Sequence, residues 1–470
     1  MDLDSNGNAL PSFHPIEGGS SPPYQTSSDP LHHQPHQIDT APRTSESFLV
    51  QLPPELLQAI LSYFSAFDLA RVSATCRILA EHGSNDLLWA SLVNAHLPFR
   101  IHDPGPFNSF RSLYAAHHPY WFIPRNKIWF SDTEHTGNLI LARYDNRRGV
   151  IEAYRVVAER QSHEFQIWDQ NPDVIINTFH PKASLWLDDP VLLLKNHNSS
   201  GAPDRLRYVY GETRMPMAAL ESQHVFNSFS FCSNETPSDL ALTAEQQWPP
   251  LTIPSRHRVY RDVDGGRSEL DRPPRSLAQM SESAFRIRRW AQMGMPIFMA
   301  DGTEALSTYA TLDPELYTPT KEKPYQGIWV GDYSAHGCEF MLFMQRDPEP
   351  GSIQSHEAGE SENDDEEVVP RGSLEAIKLT GDPNVPRGQI SFVAQDIGPG
   401  GLVRVADEAL FQGARMVRSQ GHVAGLGFRD DTFIDSQLIL ISTDCVAHYW
   451  EAMGHISYLR RVDIDALLQS

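Results

Sequence analysis

The sequence predicts an α+β chain in which a small unit of three helices precedes a mainly antiparallel β-barrel or sandwich that carries a helical insertion. Two observations predict it. Between about residues 48 and 97 apolar residues recur at helical spacing, and from residue 120 onward short segments rich in β-branched and aromatic residues follow one another between turn signals. That spacing fits one antiparallel barrel or sandwich better than βαβ units. The 470 residues admit two or three domains at roughly 150 residues each, and 35 prolines with 29 glycines place part of that length outside any core.

Residues 1–47 hold seven prolines, eight serines and four histidines without apolar periodicity, and read as a disordered tail. Its His32, His33 and His36 lack a scaffold that would fix metal geometry. From Phe48 the pattern changes. Leu56, Leu57, Ile60, Leu61 and Phe64 form a broad stripe on a first helix, and Pro53 and Pro54 sit where a helix start tolerates proline. Asp68 is a plausible cap for a second helix bearing Leu69, Val72, Cys76, Leu79 and Ala80, and Ser84, Asn85 and Asp86 offer caps for a third bearing Leu87, Leu88, Trp89, Leu92 and Val93. Three short helices make only a small core, so part of this apolar surface is expected to meet a partner.

A linker over 98–119 leads to a β domain over 120–465. Strands are expected in KIWFSD, GNLILARYD, GVIEAYRVVA and HEFQIW, and again at 174–179, 206–210, 325–330, 337–345, 373–380, 388–395, 437–442, 445–450 and 455–462. Two insertions interrupt them. One covers about 196–295 and ends in a helix with Leu277, Met280, Ala284, Ile287 and Ala291 on one stripe; the other covers 346–372 and holds seven carboxylates between Glu357 and Glu367.

Composition excludes several classes. The net charge of −22 argues against binding nucleic acid through the overall field. Four dispersed cysteines, Cys76, Cys232, Cys338 and Cys445, form neither a secreted disulfide framework nor a CxxC zinc pair. The polar, acidic N-terminus is unlike a signal peptide and no run reaches the roughly 18 apolar residues of a membrane span. An intracellular protein of cytoplasm or nucleus, without cofactor or metal, is expected.

The stretch LPPELLQAILSYFSAFDLARVSATCRILAEHGSNDLLW resembles the F-box, whose pattern LPxELLxxIL, DL, a VC-like pair and a terminal LW is matched at Leu52, Pro53, Glu55, Leu56, Leu57, Ile60, Leu61, Asp68, Leu69, Cys76, Leu88 and Trp89. Leu79 stands where many F-boxes have tryptophan. The resemblance implies an F-box over 48–97 in which Leu52, Pro53, Leu56, Ile60, Leu61, Phe64, Leu69, Val72 and Cys76 dock a Skp-type adaptor that tethers the chain to a cullin-RING ubiquitin ligase. A purely internal helical subdomain would explain the stripes but not the LPxELL start and LW end.

Three further stretches, HHPYWFIPRNKIWFSD with NLILARYDNRRGVIEAYRV, YTPTKEKPYQGIWVGDYSAHGCEFMLF, and GHVAGLGFRDD through HISYLRRVDI, resemble F-box-only proteins of the type numbered thirty-one and their fungal relatives. That likeness implies a barrel that captures substrate proteins, in characterised members through a C-terminal segment. Animal relatives add a Cys/His zinc cluster in the insertion, where this chain has only Cys232. The implied role is a non-enzymatic substrate adaptor, with Tyr333, His336, Phe428 and Arg429 as candidate substrate contacts and Arg429 suited to a carboxylate.

Two other readings compete. Asp332, His336 and Cys338 contain an acid, a base and a thiol, but His336 and Cys338 are two residues apart, whereas a nucleophile and its base usually converge from separate elements. The Gly327-Ile328-Trp329 step is similar to the lipocalin strand start, which would make the barrel a container for a small hydrophobic ligand.

Overall fold

The computed structural model describes residues 48–159, 164–178, 181–195, 211–215, 225–234, 243–261, 273–291, 306–333, 336–348 and 369–469. The tail over 1–47, the strand expected at 206–210 and the carboxylate run from Glu357 to Glu367 lie outside the described residues. Contacts divide the chain into two units, Met1–Leu52 and Pro53–Ser470. The described part of the first is a short 3-10 turn, Phe48–Gln51.

The second unit opens with four short helices where three were expected: α1 (Pro54–Leu61), α2 (Ala66–Ser73), α3 (Arg77–Gly83) and α4 (Asp86–Asn94). The extra boundary comes from Cys76, whose extended backbone (φ −154°, ψ 166°) ends one stripe and starts the next helix. Ser65, rather than Asp68, caps α2 by accepting the Asp68 amide, and Asn85 caps α4 by accepting that of Leu87. Leu57, Leu61, Leu69, Leu79, Leu88, Trp89 and Val93 are buried.

The interval before the sheets holds α5 (Phe110–His117), closed by a capping box between Ser109 and Ser112, and α6 (Phe122–Asn126). Asp86 accepts the Phe110 amide at 2.7 Å, joining α4 to α5. Tyr114 packs edge-on to Trp89 (5.6 Å between centroids), and Trp121 lies 5.6 Å from Tyr144 on the following sheet. Burial pushes the His117 imidazole down to about 4, so it is neutral, and its Nε2–H donates to the Gly149 carbonyl at 3.1 Å.

Twenty-two strands follow among the described residues. The first three are β1 (Ile128–Ser131), β2 (Leu139–Asp145) and β3 (Val150–Glu159), and the next pair is β4 (Glu164–Trp168) and β5 (Asn171–Thr178). After these come β6 (Lys182–Leu185), β7 (Leu192–Lys195), β8 (Thr213–Met215) and β9 (Val225–Ser233), then the two-residue pair β10 (Gln247–Trp248) and β11 (Val259–Tyr260). The long β12 (Met280–Ala291) and β13 (Leu306–Thr311) complete an open antiparallel sheet in the order β6-β3-β2-β1-β13-β12-β9-β8, with β7 beside β3. The Leu193 amide of β7 reaches Met215 Sδ of β8, and Asn227 of β9 bonds the Val191 carbonyl, so the sheet curls its edges together. The region read as an insertion over 196–295 thus supplies five of the strands, β8 to β12.

Residues Met280–Ala291 correct the expected helix. The stripe of Leu277, Met280, Ala284, Ile287 and Ala291 fits a 3.6 period, but Phe285 and Ile287 also alternate with Arg286 and Arg288, and the segment lies between β9 and β13, which pair both its edges. Arg286 donates to the Tyr260 carbonyl and Arg288 to Glu212, so both arginines are buried with partners. Leu277 itself lies in a 3-10 turn and is exposed.

After a short helix α7 (Pro314–Tyr317), the chain builds β14 (Gly327–Asp332), β15 (Cys338–Arg346), β16 (Ser373–Lys378), β17 (Ile390–Ala394), β18 (Leu402–Val405), β19 (Arg415–Gly425), β20 (Arg429–Ser442), β21 (Cys445–Trp450) and β22 (His455–Arg461), and ends in α8 (Ile464–Gln469). Eight of these strands, all but β18, close into an antiparallel barrel through β14 and β22, with Trp329 opposite Arg461, Val330 opposite Arg460 and Gly331 opposite Leu459. Closure leaves no free edge there. The β4–β5 hairpin attaches outside, β5 lying parallel to β22 at His455–Ser457.

One core joins the open sheet to the barrel wall, with Ile128, Phe130, Leu139 and Leu141 packed in the same cluster as Ile328, Val330, Phe340 and Leu342. A second fills the barrel: Trp329, Met341, Phe343, Leu374, Phe392, Leu438, Val446 and Leu459 are all buried, Trp329 stacks on Phe343 at 4.5 Å, and its indole N–H donates to the Tyr325 carbonyl. A Cβ on Gly421 would lie 2.2 Å from the Trp450 ring, so only glycine admits that ring. These side chains occupy the interior that a lipocalin-like apolar ligand would need, which corrects that reading.

Phe343→Ala is expected to cost about 3–5 kcal/mol of stability, because a buried aromatic leaves a cavity that a closed barrel cannot collapse around. Urea denaturation of the full chain measures it.

Candidate functional site

The helices α1 to α3 sort the nine expected docking residues into three groups. Leu61 and Leu69 are buried and hold the helices together, so they cannot present side chains to a partner in this arrangement. Leu52, Phe64 and Val72 are half-buried. Pro53, Leu56, Ile60 and Cys76 are exposed. Three large residues that sequence reasoning missed are also exposed: Tyr63 at 89% in the turn after α1, Phe67 at 64% on α2 and Ile78 at 46% on α3, with Leu56 at 54% and Ile60 at 37% on α1. Single exposed apolar residues are ordinary, whereas here five large ones fall between positions 56 and 78.

A second site lies at one end of the barrel. The antiparallel order places four connections there: the described residues 333 and 336–337 between β14 and β15, 379–389 between β16 and β17, 426–428 between β19 and β20, and 451–454 between β21 and β22. All four expected substrate contacts belong to this end. Tyr333 is half-buried, and its hydroxyl contacts Ser391 Oγ and Met341 Sδ. His336 is exposed, with Nδ1 4.0 Å from Asp382 Oδ1. Phe428 adopts a left-handed backbone (φ 56°), its amide bonds the Pro383 carbonyl at 3.2 Å, and its ring meets His422 edge-on at 5.6 Å. Arg429 is exposed and has no ion-pair partner among the described residues.

The 379–389 connection brings these contacts together. Asp382 faces His336, Pro383 holds the Gly427 and Phe428 amides, and Asn384 donates to the Ala424 carbonyl. On its other side Arg387 donates to the carbonyls of Thr133 and Asp132 and lies over the Trp248 ring at 4.7 Å, fixing the connection to the open sheet.

Beneath the connection lies a charge cluster that the sequence reading did not foresee. Lys378 is 2% exposed, and its Nζ lies 2.7 Å from both Asp382 Oδ2 and Glu339 Oε2, with the Tyr333 ring centroid at 4.5 Å. Burial pushes the Glu339 carboxyl up to about 8 against the opposing pull of Lys378. Burial also acts to raise Asp382, but its hydrogen bond with Glu339 and the Lys378 ammonium outweigh this and hold it well below the usual carboxylate range. Burial raises the Tyr333 phenol above its ordinary value, and Glu339 adds to this. Period-2 alternation could have revealed Lys378, which follows Leu374 and Ala376 on the inward face of β16.

Of the acid, base and thiol noted in the sequence, Asp332 and Cys338 stand opposite each other on β14 and β15. His336 faces Asp382, Asp332 is buried at the end of β14, and Cys338 packs at the margin of the core shared with the open sheet.

Two family models match the chain. Residues 49–95 match the family described as F-box-like, and residues 309–466, which run from within β13 through the barrel, match the family described as a cyclin D1 binding domain. Among curated proteins, the chain is 30% identical over 199 residues to Protein EXECUTER 2, chloroplastic, of Arabidopsis thaliana, covering 40% of this chain and 28% of that protein. It is 25% identical over 170 residues to the protein of the same name from Oryza sativa subsp. japonica, covering 36% of this chain and 25% of that one. The chain therefore spans about a quarter of the length of these relatives.

Lys378→Met leaves two buried carboxyl groups without their cation. A loss of about 3–5 kcal/mol in urea denaturation at neutral pH is expected; a loss below about 1 kcal/mol would mean that the ammonium is solvated.

Proposed function

We propose that this chain is a non-enzymatic substrate-recognition subunit of an SCF-type ubiquitin ligase, resembling the F-box-only proteins numbered thirty-one. In this reading residues 48–97 dock a Skp-type adaptor, which links the chain to a cullin, residues 98–119 connect, and residues 120–465 select the substrate. The observation that carries the proposal is the set of exposed side chains Leu56, Ile60, Tyr63, Phe67 and Ile78 within an F-box-like region. A helical face of this kind suits docking in a groove of another protein.

The barrel end is the substrate side of the proposal. Two features support it: the cyclin D1 binding match covers the barrel, and that end carries an exposed histidine, an aromatic ring, an arginine without an ion pair among the described residues and a buried charge cluster. An extended C-terminal segment of a substrate fits such a surface, its carboxylate matched by Arg429. Ubiquitin transfer falls to the partners. The contribution of this chain is proximity, which raises the effective concentration of the substrate beside the conjugating enzyme and leads to its degradation.

Leu56→Asp together with Ile60→Asp tests the docking half. Both positions are exposed, so folding is expected to change little. Copurification with a Skp-type adaptor and cullin should fall at least about 100-fold, because the new carboxylates would be buried unpaired in the interface. Unchanged adaptor binding in the double variant would refute the assignment.

A further inference from the structure

The charge cluster inside the barrel does not balance. Glu339, Lys378 and Asp382 are 2%, 2% and 5% exposed, so two carboxylates face one ammonium away from water. Among the described residues, no neighbouring element supplies a second cation to Glu339. The β14–β15 connection contributes the Tyr333 hydroxyl and His336, which is exposed and faces Asp382 rather than Glu339. On β14 the residue opposite Glu339 is Gly331, followed by the buried Asp332. From β17 comes the neutral Ser391, and from β22 comes His455, whose imidazole burial pushes down and whose charged influence is Asp332. Two carboxyl groups sharing one cation at such distances cannot both ionise cheaply.

The hydrogen bonds say which group holds the proton. Asp382 Oδ1 accepts the Asn384 and Val385 amides at 2.6 and 3.0 Å, and Oδ2 accepts from Lys378, so its ionised form is well solvated by the protein. Among the described residues Glu339 meets only the Lys378 ammonium and the carboxyl of Asp382, and no backbone amide of theirs serves it. The protonated form, donating its O–H to Asp382, satisfies both groups.

We propose that Glu339 carries a proton at neutral pH and acts as a proton-controlled gate on the barrel's recognition end: with the proton bound the cluster is neutral, and losing it adds a buried negative charge that repels an acidic chain end. This inference rests on the reading of the barrel end as the substrate site. The upward displacement of Glu339 to about 8 agrees with it. A carboxyl whose folded value lies above its ordinary value of 4.5 contributes stability that is complete below that ordinary value and is lost as pH rises through about 8.

The test uses the full chain and Glu339→Gln, which keeps a neutral donor. Between about pH 5.5 and 7.5 the unfolding equilibrium constant of the wild type should rise up to about tenfold per pH unit relative to that of the variant. Equal slopes would overturn the proposal whatever the barrel binds. Should the variant fail to fold, infrared spectroscopy of the wild type decides the same point: a protonated-carboxyl band is expected at neutral pH and lost near pH 9.5, and its absence at neutral pH refutes the proposal. The gate itself is read with a pool of short peptides bearing free C-terminal carboxylates, the captured fraction being weighed by mass spectrometry. Capture by the wild type should fall about tenfold from pH 7 to pH 9 and stay level in the variant. Level capture by the wild type overturns the gate while leaving the substrate site intact. No capture by either protein at either pH overturns the substrate-site reading, and the gate with it.

Discussion

The barrel end that carries Tyr333, His336 and Phe428 depends on one buried ammonium. Lys378 sits at the last position of a barrel strand, inside the wall, and its two carboxyl partners come from the neighbouring strand and from the connection that follows it. An isolated charge there would be prohibitive, so the fold places Glu339 and Asp382 within 2.7 Å of it. Holding Asp382 in place holds the whole 379–389 connection, which in turn seats the β19–β20 turn through Pro383 and Asn384 and grips the open sheet through Arg387. The geometry of Tyr333, His336 and Phe428 follows from that single connection.

The barrel is divided along its axis by the same economy of burial. Toward one end its interior is aromatic and aliphatic, with Phe343 in contact with both Trp329 and Phe392. Toward the other it turns polar, with Ser419 bonded to Ser436 and Lys378 paired to its carboxylates. The packed half gives a rigid support, and the polar half is where groups can be chosen by hydrogen bonding. The helical unit uses the opposite arrangement, keeping Leu57, Leu61 and Leu69 inside and turning Leu56, Ile60 and Phe67 outward.

Much of this was legible in the sequence. Short apolar and aromatic segments between turn signals, such as Leu139–Asp145 and Cys445–Trp450, fall where the sequence places strands. The reading failed where two periods fitted the same residues: Met280–Ala291 carries a helical stripe, and only its pairing with β9 and β13 makes it a strand. It also failed where a pattern lacked direction, since a stripe containing both Leu61 and Ile60 does not say which meets the core and which meets solvent. The charge cluster escaped because Glu339, Lys378 and Asp382 look like solvated charges when taken singly; their convergence depends on the register that sets β15 beside β16. The open sheet was hidden because its β8 and β9 lie in segments whose composition suggested an excursion.

The central claim is that the helices meet an adaptor while the barrel end stays available for a substrate. Hydrogen exchange of the full chain, alone and bound to a Skp-type adaptor, tests it most directly. The account predicts slowed exchange within residues 54–83 on binding and unchanged exchange in 336–337, 379–389 and 426–430. Protection confined to the barrel connections, or none in the helices, would contradict it.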